Sequence, residues 1–239
     1  MSLGTKSFRP DSPTSQDSAP KPTGKSADSV PSLSPKAAWI EVGIAYALIE
    51  AAVWTEGNWK LIWSLAAAVC IFILVFRRRP SLRELGLGVP PLRGTLWTLL
   101  ITVLLAGAIL VFGWVKGTWN PANPRWPPLE NPHLYAIWVL EQQFMLQSFF
   151  YLRLESALHS SRLAVLVTAV LFSAAHIPNP WLVVATLAGG LFFCETFRRY
   201  RNLYVVSVAH VLLGFALVEA LGLTLLHHLR VGIGFLHNH

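Results

Sequence analysis

The feature that most constrains this chain is the recurrence of apolar runs about as long as a lipid bilayer is thick. About 20 helical residues cross the hydrocarbon core, and only helices or closed barrels satisfy their own backbone there. Hydrophobic residues make up 54% of the 239 residues and charged residues 13%, whereas soluble domains carry about 25% charged residues. The sequence therefore predicts an all-α, polytopic transmembrane helical bundle with about seven spanning helices, within a range of about six to eight.

The predicted bundle follows a polar tail. Residues 1–36 are rich in Ser, Pro, Lys and Asp and nearly free of aliphatic side chains, a composition that predicts disorder. The predicted transmembrane domain, residues 37–239, contains seven apolar segments, near 38–54, 59–76, 94–115, 133–152, 163–178, 181–198 and 203–226. The fifth and sixth segments are short and are separated by Pro178-Asn179-Pro180, which predicts a bent or re-entrant pair.

The basic residues predict the orientation in the membrane. With a cytoplasmic N-terminus, the outer segments keep only four of the 19 lysine and arginine residues, namely Lys60, Lys116, Arg125 and Arg230. This asymmetry follows the positive-inside rule. The run Arg77-Arg78-Arg79 is then a topological anchor, so the net charge of +7 does not indicate a nucleic-acid partner. The polar tail and the short loops favour a multi-pass protein of a bacterial inner membrane.

Three of the ionisable residues within the apolar segments are candidates for a common site: Glu141 in WVLEQQFMLQSFF, His176 in VLFSAAHIPNP and His210 in YVVSVAHVLLG. An ionisable side chain at membrane depth costs roughly 3 kcal/mol or more, so each needs a reason to be there. Glu141 alone is also compatible with a helix–helix contact, and His176 with bonding the backbone freed by the nearby prolines. Together, a carboxylate and two imidazoles can activate water. We therefore expect all three to be buried around one hydrated pocket.

Four ordered motifs resemble those of the CPBP family of intramembrane glutamic endopeptidases, which includes the type II CAAX prenyl proteases and the bacterial Abi-type proteins. The motifs are PSLRELGLG (80–88), EQQFMLQSFFYLRL (141–154), FSAAH (172–176) and RYRNLYVVSVAH (199–210). The resemblance covers a core of about residues 80–225. It implies a divergent bacterial branch of that family.

The resemblance also implies roles for the three ionisable residues. In this family a glutamate activates water, and two histidines on other helices position that water or stabilise the oxyanion. Carried over by position, Glu141 is the base, and His176 and His210 are the supporting pair. These three residues form the predicted catalytic site.

Three positions depart from the family pattern. Gln142 stands in place of a second glutamate, Leu146 in place of an arginine, and Gly214 in place of an asparagine or aspartate. Other polar side chains are candidates for the hydrogen bonds that these positions would otherwise supply. The predicted supporting residues are Gln142, Gln143, Gln147, Phe172, Asn179 and Gly214.

Two functions remain open at this stage. The leading hypothesis is an intramembrane endopeptidase acting on a membrane-embedded or membrane-adjacent peptide, such as a C-terminal sorting tail or a secreted peptide. The alternative is a catalytically inactive scaffold or immunity-type interaction protein that keeps the fold, which the three departures favour. A proton-relay transporter is a weaker hypothesis, because the chain contains no evident repeats.

No cofactor is expected. Zinc bound by Glu141, His176 and His210 is an alternative, but no H-E-x-x-H motif lies on one helix and the family resemblance implies a metal-free glutamate mechanism. A second group of histidines lies near the C-terminus and is expected to be a solvated tail rather than a metal site: His227, His228, His237 and His239. The sequence leaves the oligomeric state open.

Overall fold

The computed structural model describes Met1, residues 34–119 and residues 132–237. The predicted disordered tail over 1–36 falls almost wholly outside these residues, as does most of the proline-rich loop after Gly117. Within the described ranges the chain is helical and contains no strand. The helices belong to one unit, Leu33–His239.

The helices follow the predicted apolar segments closely. Their bounds are α1 Pro35–Val53, α2 Gly57–Phe76, α3 Leu92–Val115, α4 Pro132–Gln143, a π-helical segment Phe144–Tyr151, α5 Leu152–Leu158, α6 Ser161–Ala174, α7 Pro180–Tyr200, α8 Leu203–Leu225, a 3₁₀ turn His227–Leu229 and α9 Ile233–Leu236. The prediction of an all-α membrane bundle is confirmed.

Four of the described helices, α2, α3, α7 and α8, are both long and apolar enough to cross a membrane on their own. Helix α6 has only 14 residues, because the prolines at 178 and 180 follow soon after it and cannot continue a helix. Helix α1 carries Glu41 and Glu50 within its 19 residues. The seven predicted segments are thus all helical, but not all are independent spans.

Helices α3 and α8 pack together through small residues. A Cβ atom built on Gly113 of α3 would lie only 2.7 Å from both the Cα and the carbonyl oxygen of Ala220 in α8. Thr118, just beyond α3, donates a hydrogen bond to the same carbonyl over 2.6 Å. Close backbone approach of this kind is how helices associate in lipid, where burial of apolar surface alone provides no driving force.

Ionic contacts gather at one end of the bundle, which we call the arginine-rich end. Glu41 near the start of α1 accepts hydrogen bonds from Arg77 and Arg78 after α2 (3.1 Å each) and from Arg153 of α5 (2.7 Å). Glu41 and Arg153 are buried. This cluster ties together the ends of three helices.

A second ionic contact at the same end joins α5 to the end of α7. Glu155 accepts hydrogen bonds from Tyr151, Ser161 and Arg201, over 2.6, 2.8 and 2.6 Å. Burial alone would raise the pKa of Glu155, but these three donors and the positive charge of Arg201 outweigh it and hold the pKa below its usual range. The carboxylate therefore remains ionised at neutral pH and keeps the two helices joined.

The opposite end of the bundle is closed by the residues after α8. The Gly232 amide donates to the carbonyl of Ile177 over 2.9 Å, and a Cβ at Gly232, whose φ is +55°, would overlap the Val53 carbonyl. His237 lies 2.7 Å from Glu56, and the His227 ring packs on Phe235. His227 and His237 therefore each have a partner, although His237 stays exposed, and His228 is exposed as expected for a solvated segment. His239 lies outside the described residues.

Candidate active site

The bundle encloses a cavity of about 970 Å³ that we call the central cavity. Glu141 of α4, His176 of the turn between α6 and α7, and His210 of α8 all line it. Most of the remaining wall is apolar. The cavity extends from the middle of the bundle to the end opposite the arginine-rich end, where Lys60 and Arg230 line its wall.

The helix that carries Glu141 changes its winding directly after Gln143. From Phe144 to Tyr151 the backbone is π-helical. This form is rare and is frequently found at functional sites. Regular α-helical spacing would place residues 141, 145 and 148 on one face. In the structure Met145 lines the cavity, whereas Ser148 is buried and donates to the Leu85 carbonyl over 2.9 Å. The π-segment thus turns position 148 away from the site.

Two glutamines form a hydrogen-bonded chain that ends at His210. Nε2 of Gln147 donates to Oε1 of Gln143 (3.1 Å), and Nε2 of Gln143 lies 2.9 Å from Nδ1 of His210. Both glutamines are fully buried. Because the Gln143 oxygen accepts from Gln147, its amide nitrogen faces the imidazole and donates to Nδ1. The proton of neutral His210 is then on Nε2.

His176 has the opposite arrangement. Its Nδ1 lies 2.7 Å from the carbonyl oxygen of Phe172. A carbonyl only accepts hydrogen bonds, so Nδ1 of His176 carries a proton and donates. In the neutral form of this ring, Nε2 is an acceptor.

Aromatic rings fix the two imidazoles. The Phe172 ring stands edge-on to both, with centroid separations of 4.9 Å to His176 and 6.1 Å to His210. Phe193 of α7 stacks on His210 at 5.0 Å and 26°. Phe172 was predicted as a supporting residue, while Phe193 was not predicted, because an apolar helix with many phenylalanines gives no signal for the one that touches a histidine.

Glu141 differs from the expectation of a buried carboxylate. Its side chain lines the cavity but is exposed. Within the part of the chain that the structure describes, its carboxylate makes no hydrogen bond or ion pair. Among those same residues, no three His, Cys, Asp or Glu side chains are grouped closely enough to hold a metal ion, so the geometry does not favour the zinc alternative.

The other predicted supporting residues fall into two groups. Gln142 and Gly214 line the central cavity, and Gln143 and Gln147 lie behind its wall. Asn179 is not part of this wall, so its prediction as a substitute partner at the site is corrected.

The side chain of Asn179 instead makes structural hydrogen bonds at the start of α7. Its Oδ1 accepts from the Leu182 amide and caps α7, while its Nδ2 donates to the carbonyls of Leu226 and Arg230. An asparagine between two prolines is a typical N-cap, a signal that was available in the sequence. It holds the start of α7 against the residues after α8.

Tyr135 is a cavity residue that the sequence reasoning missed. It lies on α4, is 7% exposed and lines the central cavity. Its ring stacks on Phe215 of α8 with a centroid separation of 5.2 Å. The only sequence signal was a polar aromatic residue in the same apolar segment as Glu141.

A helical bundle with a cavity lined by a carboxylate and two histidines defines an integral membrane protein with a polar interior site. Residues 133–216 match the family model for type II CAAX prenyl endopeptidase, Rce1-like, and this stretch contains Glu141, His176 and His210. This match spans 84 of the 239 residues and agrees with the motif resemblance. No curated protein and no solved structure matches the chain.

Proposed function

We propose that this protein is an intramembrane endopeptidase that hydrolyses a peptide bond at the central cavity, with Glu141 activating water and the two histidines assisting. The single observation that supports this most directly is that Glu141, His176 and His210, from three separate segments, line one cavity. Side chains that are costly at membrane depth are thereby withdrawn from lipid into a common space.

Glu141 is suited to act as the general base. Its carboxylate faces the cavity and has no other partner within the described residues, so it is free to accept a proton from water. The water oxygen attacks the scissile carbonyl carbon, its proton passes to Glu141, and the carbonyl oxygen becomes an oxyanion. The protonated Glu141 then gives its proton to the leaving amine as the C–N bond breaks.

The hydrogen bonds of the histidines suggest different roles for them. His210, with Nδ1 accepting from Gln143, presents an Nε2–H donor that can stabilise the oxyanion. Neutral His176, with Nδ1 donating to Phe172, presents an Nε2 acceptor that can hold the attacking water. This assignment is more specific than the shared oxyanion role that the sequence resemblance implies.

The proposed substrate is a peptide that enters from the membrane or its surface. The cavity wall is mostly apolar, which suits an apolar segment beside the cleaved bond. A C-terminal sorting tail or a secreted peptide in a bacterial inner membrane fits this description. With the N-terminus in the cytoplasm, the cavity extends toward the outer side, since its wall includes Lys60 and Arg230 at the end away from the arginine-rich end.

A specific observation also favours an inactive scaffold or immunity-type protein. The family's arginine position is occupied by Leu146, which is 4% exposed and packs in the core. Neither Leu146 nor Gly214 has a charged or amide side chain that could orient a substrate. The scaffold hypothesis predicts binding to a membrane partner without proteolysis.

The deciding experiment is co-expression with candidate membrane proteins that carry C-terminal sorting tails, and with small secreted peptides. We expect processing by the wild type and a loss of about 10³-fold or more with Glu141→Gln, since this variant keeps the shape but removes the base. Glu195→Gln is the matched control, because Glu195 pairs with Arg198 and Arg199 outside the cavity. Full processing by Glu141→Gln would contradict the assignment. Stable complexes without cleavage by the wild type would support the scaffold hypothesis.

A further inference from the structure

The wall of the central cavity contains a hydroxyl group that the mechanism above does not use. Gly214 lies on α8 one turn after His210, about 6 Å along the helix axis. A Cβ atom at this position would overlap the Tyr135 hydroxyl oxygen. The phenol of α4 therefore occupies the space that any side chain at 214 would need.

The Tyr135 side chain is held in place, while its hydroxyl remains available for a hydrogen bond. The ring is 7% exposed and stacks on Phe215, which limits its motion. Within the described residues the hydroxyl makes no hydrogen bond. A tyrosine hydroxyl in a nearly buried position usually has a partner, so this one is available to a ligand in the cavity.

We propose that the Tyr135 hydroxyl is a second donor to the oxyanion, next to Nε2–H of His210, and is therefore a further catalytic residue. This inference rests on the proposed protease function. The neutral phenol donates a hydrogen bond as charge develops on the carbonyl oxygen, and its proton stays on the tyrosine. No covalent bond of Tyr135 forms or breaks.

The first test is Tyr135→Phe, which removes only the hydroxyl and keeps the ring that stacks on Phe215. We expect kcat to fall by about 10²-fold, as for the loss of one oxyanion donor, with KM changed by less than about threefold. Tyr204→Phe is the matched control, because Tyr204 is exposed on α8 and is not among the residues that line the cavity. A Tyr135→Phe enzyme with the kcat of the wild type would overturn the inference.

The second test uses the contact with Gly214. In the wild type, Gly214→Ala must displace the hydroxyl and should lower kcat about as much as Tyr135→Phe. Without the hydroxyl, the nearest ring atom, Cζ, is 3.4 Å from the added Cβ, an ordinary contact. The double variant should therefore be no slower than Tyr135→Phe alone. If the free-energy costs of the two single variants, calculated from kcat, simply add in the double variant, the inference is contradicted.

A binding measurement separates this inference from the proposed function. An apolar tripeptide aldehyde, whose hydrate places an oxygen where the oxyanion forms, should raise the melting temperature of the wild type more than that of Tyr135→Phe. Equal shifts would overturn the role of Tyr135 while leaving the protease proposal intact. If Glu141→Gln retains full turnover, the protease assignment fails instead. If the wild type neither cleaves peptides nor binds the aldehyde, both proposals fail.

Discussion

The side-chain amide of Gln143 donates to Nδ1 of His210 over 2.9 Å, at the point where α4 changes into the π-segment. This contact selects one tautomer of the imidazole and places its remaining N–H on the other side of the ring. The hydrogen bond that Nε2 of Gln147 donates to Oε1 of Gln143 in turn fixes the orientation of the Gln143 amide. The donor character of His210 thus depends on two buried glutamines that do not themselves act on substrate.

A first prediction concerns this orientation. Gln143→Met keeps the length of the side chain but removes the donor to His210, so the other tautomer becomes accessible. We expect kcat/KM to fall by about 10- to 100-fold, the range found when an orienting partner of a metal-binding histidine is removed. Peptide cleavage rates measured against Gln147→Met, one step further from the ring, provide the comparison. An unchanged rate in Gln143→Met would show that the contact does not control His210.

A second prediction concerns the carboxylate at the arginine-rich end. Glu41→Gln leaves three arginines without their counter-charge, and one of them, Arg153, is buried. We expect the free energy of unfolding in mixed micelles to fall by about 3 kcal/mol or more, as for a buried pair that loses one partner.

Glu195→Gln is the control for that measurement. Glu195 also pairs with two arginines, but its ion pairs are partly exposed, so its loss should cost less than about 1 kcal/mol. Equal destabilisation by the two variants would mean that burial of the Glu41 cluster does not determine its contribution.

A third prediction concerns the contact of α3 with α8. Gly113→Ala places a methyl group 2.7 Å from the backbone of Ala220, which cannot move without shifting a helix. We expect a loss of about 1–3 kcal/mol in the free energy of unfolding, typical of overpacking. Gly107→Ala, on the same helix with nothing within 4 Å of the added Cβ, should be neutral or slightly stabilising. A larger loss in the free energy of unfolding for Gly107→Ala than for Gly113→Ala would contradict this packing.

A fourth prediction concerns orientation. In a background with Cys70→Ala and Cys194→Ala, single cysteines replace Lys116, after α3, and Leu82, between α2 and α3; both native residues are exposed. Because the arginine-rich end is expected to face the cytoplasm, an impermeant maleimide added to intact cells should label position 116 and not position 82. Labelling of position 82 alone would reverse the orientation. The end of the cavity that is lined by Lys60 and Arg230 would then face the cytoplasm.

The positions of the helices were predictable because their cause is local. A run of about 20 apolar residues must satisfy its own backbone in lipid, and Pro178 and Pro180 end a helix wherever it lies. The match of residues 133–216 to the family model was predictable for a related reason, since the motifs around Glu141, His176 and His210 keep their order along the chain. The catalytic roles of these three residues remain predictions.

The contacts between distant residues were not predictable. The partners of Glu41 lie 36, 37 and 112 residues away along the chain, and no local pattern joins them. Gly214 was considered only as a missing polar side chain. In the structure the hydroxyl of Tyr135 occupies that space, a replacement that depends on how α4 packs on α8.

The sequence by itself determined the helical membrane class, the resemblance to the CAAX endopeptidase family and the three candidate ionisable residues, because hydropathy and motif order are properties of the chain in one dimension. Only the tertiary structure decided which group each histidine Nδ1 contacts, that Glu141 is exposed, and that the Tyr135 hydroxyl lies against Gly214. Side-chain direction and hydrogen-bond partners follow from helix packing, and the π-segment after Gln143 changes that packing without a signal in the apolar pattern.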